Sequence, residues 1–129
     1  EQLARGVRLL PFQVTPSDHL ITAWLAIDDA TVANGCMHYA PGSHKLGPLE
    51  HDDIEDTPHK IPRGFRKEDA VAVPIRAGGV IFHHGYSLHY SPPNQTDNWR
   101  RAYPCHYVRA DAETDNKQAI GPESFTAIR

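Results

Sequence analysis

A chain of 129 residues with 40% hydrophobic content suffices for one domain with its own core and is too short for two; folding would bury roughly 65% of its unfolded surface. Sixteen acidic against thirteen basic side chains leave a net charge of -3 with no Lys/Arg-rich run, which argues against a nucleic-acid partner. No stretch reaches the ~18 consecutive apolar residues that span a bilayer and the N-terminus has no apolar signal core, so the expectation is a soluble, cytoplasmic protein with no membrane partner.

Residues 1–10 carry no clear capping or turn signal, and the chain starts at Glu1, so it reads as trimmed or incomplete. Residues 19–27, HLITAWLAI, are β-branched, aromatic and apolar over a length that favours a buried strand. Asp28 and Asp29 end it, Asn34-Gly35 marks a tight turn, and CMHYAP gives a second short strand closed by Pro41-Gly42, so strand, turn, strand is expected. Residues 45–69 mix three prolines, two glycines and many charges without a period and predict a long surface loop, suited to a lid.

AVAVPI alternates, RAGG breaks the chain and VIFHHGYSLHYS alternates again, predicting a strand pair joined by a glycine turn. SPPNQTDNW is turn-rich, and RRAYPCHYVRA predicts a final strand whose Pro104 suits an edge or a bulge. The tail from Asp111 looks irregular. Short strands with Gly/Pro turns and no convincing helix indicate an all-β sandwich or barrel.

Nine histidines are a compositional outlier, and several fall between His83 and His106. His89 stands where a strand meets a turn, and Arg100 follows eleven residues later. A histidine on a rigid strand with an arginine on the next could hold a metal and an anionic cosubstrate together, while the bland alternative is a satisfied histidine and a solvated charge. His83 and His84 alternate across a strand, so one faces inward, and a hydrogen-bonded core histidine is the preferred reading. Cys36 and Cys105 are expected to be free thiols, Cys36 as buried packing. His38 and His44 have no partner at a ligand spacing.

Two passages, WLAIDDATVANGCMHYAPGSHKLG (24–47) and AGGVIFHHGYSLHYSPPNQTDNWRRAYPCHYV (77–108), resemble the signature segments of the phytanoyl-CoA dioxygenase family. The elements that carry the resemblance are Trp24, Asn34-Gly35-Cys36, Pro41 to Lys45, His89, Ser91, Asn94 and Arg100. The resemblance implies a double-stranded β-helix (a cupin-like jelly roll), incomplete at its N-terminus. It also implies an oxygenase that uses Fe(II), O2 and 2-oxoglutarate, with ascorbate as reductant, to hydroxylate an aliphatic carbon of a small organic substrate. His89 would be an iron ligand, Arg100 the clamp on the cosubstrate carboxylate, and Ser91 and Trp24 its neighbours. An incomplete barrel would expose sheet edges and favour a homodimer.

The family's other two iron ligands form a His-x-Asp motif, the Asp about sixteen residues before the tryptophan, and here Gly6 and Arg8 occupy those places. A truncated or altered chain, or an inactive pseudoenzyme or binding module, is therefore the alternative. His51 and Asp53 offer another His-x-Asp pattern, for which a solvated turn pair is preferred. A cupin-like site of different ligands would need His38, His84, His89 and His106 to converge.

Overall fold

The computed structural model of the protein describes residues 14–15, 20–53, 60–109 and 113–114, with the backbone alone for 14–15, 51–53, 60–61 and 113–114. The described strands are β1 (Val14–Thr15), β2 (Leu20–Ala26), β3 (Met37–Tyr39), β4 (His51–Asp53), β5 (Lys60–Pro62), β6 (Val71–Val73), β7 (Val80–His84), β8 (His89–Tyr90), β9 (Ala102–Val108) and β10 (Glu113–Thr114). All pairings are antiparallel. Two three-stranded sheets, ordered β7-β2-β9 and β6-β3-β8, form the body of a jelly roll, and β1-β10 and β4-β5 make two-stranded ribbons.

The expected strands exist, but their expected partners do not. β2 does not pair with β3, and β6 does not pair with β7; each of these neighbours in sequence lies in the opposite sheet. The physical reason is burial. Thr22, Trp24 and Ala26 alternate along β2 at 5%, 7% and 1% exposure, and Trp24 and Ala26 cluster with Ala30, Cys36 and Met37. A strand with such a face needs a second sheet over it, which a flat hairpin with its sequence neighbour cannot supply. Truncating a core aromatic such as Trp24 to Ala typically costs about 3–5 kcal/mol.

The crossing between sheets is built by short polar contacts. Asn34 is buried, only 4% exposed, and its side chain accepts from the Thr31 amide at 2.7 Å and donates to the Asp29 carbonyl at 2.8 Å. Asp29 accepts the Ala77 amide at 2.8 Å, and Ala30 bridges to Ile75. Gly35 adopts φ +86°, and a Cβ there would stand 2.3 Å from the Pro92 carbonyl oxygen, so only glycine fits the Asn-Gly turn. Pro104, opposite Trp24, lies on β9 at an edge of its sheet, as its missing N–H predicts.

Within residues 45–69 the described residues include the β4-β5 ribbon and a 3-10 turn at Lys67–Asp69. His51 pairs with Pro62 and Asp53 with Lys60, a pairing between strands of three residues each, too short to leave a sequence period. No helix among the described residues is long and apolar enough to cross a membrane. The outer face of the β7-β2-β9 sheet exposes Ile21, Phe82, Tyr103 and Tyr107.

Candidate metal and anion site

His89 begins β8 and faces the interior. Its Nδ1 donates to the Ser87 carbonyl at 2.7 Å. A carbonyl only accepts, so this bond puts the ring proton on Nδ1 and leaves the lone pair on Nε2. Burial lowers the His89 pKa, with the Ser87 bond opposing and His106 adding to the fall. The ring is therefore neutral near pH 7, the form that binds a metal.

The histidine beside it is His83, not His84. The His83 and His89 rings lie 4.6 Å apart at 48°. His83 Nδ1 meets the Tyr39 hydroxyl at 2.9 Å, and burial, then the nearby His89 and His106, push the His83 pKa down to about 3. Burial also raises the Tyr39 phenol, so it stays protonated. His106 Nδ1 lies 2.9 Å from the Thr22 hydroxyl, and burial lowers its pKa too.

Strand register explains the gathering. Thr22 stands opposite His83 on one side and His106 on the other, so all three share one face of the β7-β2-β9 sheet. His84 falls on the other face, beside His44 and Tyr86, and receives the Tyr86 amide at 3.1 Å. His38 binds the Cys36 carbonyl at 3.1 Å and stacks on Tyr90 at 4.9 Å. The set of His38, His84, His89 and His106 thus does not converge; His83 takes the inward place. The sequence left open which of His83 and His84 faces inward; the register with Thr22 selects His83. Among the described residues no group of three His, Cys, Asp or Glu side chains is arranged to hold a metal.

Tyr39 and His83 line an open cleft of about 460 Å³ together with His44, His84 and Ser87. Arg100 lines a separate groove of about 370 Å³ with Asn94 and Trp99. Its Nε is buried without a hydrogen-bond partner. The neighbouring Arg101 behaves differently, making two 2.8 Å side-chain bonds to Asp28. Arg100 acts electrostatically on the Cys36 thiol, whose pKa burial raises. The Ser91 hydroxyl donates to the Gly35 carbonyl at 3.3 Å, and Trp24 packs in the core with Cys36. Both cysteines are free thiols. Gly6 and Arg8 lie outside the described residues, as do the side chains of His51 and Asp53.

The family model for Phytanoyl-CoA dioxygenase (PhyH) matches residues 7–102. The chain belongs to the phytanoyl-CoA dioxygenase family. Among relatives of this family, it is 34% identical over 113 residues to a probable phytanoyl-CoA dioxygenase of Caenorhabditis elegans, covering 83% of this chain and 36% of the relative. It is 30% identical over 129 residues to the peroxisomal phytanoyl-CoA dioxygenase of Homo sapiens, covering 95% of this chain and 38% of the relative. The chain thus spans little more than a third of the length of these relatives. The epimerase SnoN, solved in complex with Fe3+, alpha ketoglutarate and nogalamycin RO, superposes with a TM-score of 0.63 at 31% identity, over 88% of this chain and 46% of that one.

Proposed function

We propose that this phytanoyl-CoA dioxygenase family member is a non-haem iron(II), 2-oxoglutarate-dependent oxygenase that hydroxylates an aliphatic carbon of a small organic substrate. In this reading His89 is an iron ligand and Arg100 the clamp on 2-oxoglutarate. The observation that carries it is the His89 bond to the Ser87 carbonyl at 2.7 Å. A metal-binding imidazole needs such an outer partner on one nitrogen so that the other keeps its lone pair. The fit to an anionic cosubstrate rests on Arg100, since an unpaired buried polar nitrogen costs about 1–3 kcal/mol until a partner meets it. A carboxylate is the anion that a planar guanidinium receives in a two-bond fork.

Bound iron would supply the oxygen chemistry, coupled to oxidative decarboxylation of the cosubstrate. The chain's own residues bind and orient. Ser91 and Trp24 border Cys36 and the Gly35 turn beside Arg100 and would complete the cosubstrate end. The β4-β5 ribbon within residues 45–69 would serve as the lid that sets substrate choice. Cytoplasmic residence and a homodimer formed through the edges of β7 and β9 are finer parts of the same reading, the latter checked by sedimentation.

Anaerobic titration of the full chain with iron(II) in the presence of 2-oxoglutarate tests it, following the visible charge-transfer band of a chelated oxo acid. The band is expected in the wild-type chain and lost in His89→Ala. Its absence from the wild-type chain would sink the oxygenase reading. The binding-module alternative, favoured by Gly6 and Arg8 at the His-x-Asp places, would then stand.

A further inference from the structure

We infer that His83 is a second metal-binding imidazole of this site, acting with His89 as a pair on one divalent ion. The inference rests on the reading of His89 as a ligand and adds a residue that the family resemblance does not supply.

Three observations carry it. The first is spacing. Two imidazoles bound cis to one ion, each with its nitrogen about 2.1 Å from the metal, place their ring centroids roughly 4.5–5 Å apart. The observed centroid distance is 4.6 Å. The second is the outer contact. Each ring has its Nδ1 taken, by the Tyr39 hydroxyl for His83 and the Ser87 carbonyl for His89. Both Nε2 atoms are then left for a common partner, the arrangement that orients histidine ligands in metal sites. In the ligand form His83 carries its proton on Nδ1 and donates it to the Tyr39 oxygen, which the protonated phenol can accept.

The third is placement on rigid elements. His83 is the penultimate residue of β7 and His89 opens β8, strands of opposite sheets, so the pair straddles the interior at one end of the jelly roll. His83 also lines the open cleft, which gives an ion and a small ligand access. His106 stands nearby with its Nδ1 at the Thr22 hydroxyl and is assigned no bond to the ion.

The test counts imidazoles. The full 129-residue chain is loaded with less than one equivalent of Cu(II), and pulsed EPR reads the number of bound imidazoles from their remote nitrogens. In parallel, iron(II) affinity is measured anaerobically by chelator competition. The wild-type chain is expected to show two imidazoles, and His83→Phe and His89→Phe one each, with iron(II) affinity falling about 10–100-fold in either variant. Phe preserves ring volume at position 83, and circular dichroism with a thermal melt confirms that each variant folds. Tyr39→Phe provides a second reading: it should keep two imidazoles while weakening affinity several-fold.

If His89→Phe loses an imidazole and His83→Phe matches the wild-type spectrum and affinity, His83 is not a ligand and the oxygenase reading survives. If neither substitution changes the spectrum, or no metal binds, this inference and the oxygenase reading fall together. Three imidazoles in the wild-type chain would overturn the two-histidine assignment in favour of one that includes His106.

Discussion

The hydroxyl of Tyr39 on β3 lies 2.9 Å from Nδ1 of His83 on β7, and this bond links the two sheets across the interior. The rings also touch, with centroids 5.2 Å apart. Tyr39→Phe keeps that contact and deletes the oxygen, leaving a half-buried nitrogen unpaired. The expected cost to the metal-free protein is about 1–2 kcal/mol. It would appear as a lower urea midpoint with an unchanged slope. An unaltered midpoint would show that the bond contributes nothing to folding.

Gly35 is the least replaceable residue of the sheet crossing. Its φ of +86° strains any L side chain, and its Cβ position lies 2.3 Å from the Pro92 carbonyl oxygen, a backbone atom that cannot swing aside. Gly35→Ala therefore combines backbone strain with a steric clash, and a loss of about 3 kcal/mol or more is expected. The damage should extend beyond stability, because relief of the clash displaces the segment that runs from Pro92 to Arg100. A thermal melt within a degree or two of wild type would contradict the close approach.

The Asp28–Arg101 pair makes stability depend on acid. Arg101 donates to Asp28 from its Nε, its terminal nitrogen and its backbone amide, each at 2.8 Å. These bonds hold the Asp28 carboxyl below its ordinary 3.8, at about 2. A carboxyl that gives up its proton more readily when folded stabilises the fold fully above its ordinary pKa. That contribution fades as pH falls from about 4 toward 2. In Asp28→Asn the stability difference from wild type should thus be largest above pH 4 and shrink toward pH 2. A difference that stays constant across that window would refute the ionic origin.

What could be read in the sequence was local. The β2 segment, the Asn34-Gly35 turn and the edge character of Pro104 each depend on a few consecutive residues, and the structure keeps all three. Pairing partners depend on which faces are buried against distant chain, so β3 and β6 joined the sheet opposite to the one expected. The ribbon inside residues 45–69 has strands of three residues each, too short to leave a period. At the candidate site, His89 and Arg100 were singled out through the family motif. His83 was not, because its neighbour His84 has the same side chain and only the register with Thr22 decides which of them faces inward.

Arg100 gives the sharpest test of the cosubstrate end, since the adjacent arginine is an internal control. Arg101 spends its guanidinium on Asp28 and stands over the Trp99 ring at 5.9 Å, while Arg100 has a buried Nε with no partner. Arg100→Lys keeps the positive charge but removes the planar fork, so the loss it causes measures geometry rather than charge. A charge-assisted bond is worth about 1.5–3 kcal/mol, which converts to a 2-oxoglutarate affinity roughly 10–150-fold weaker. Arg101→Lys should leave that affinity unchanged and weaken only the Asp28 pair. Calorimetric titration of 2-oxoglutarate into the iron-loaded chain separates the two. If the substitutions weaken binding equally, a general positive potential holds the cosubstrate and Arg100 loses its special role. If only Arg100→Lys weakens it, the Arg100 guanidinium is the anion's seat.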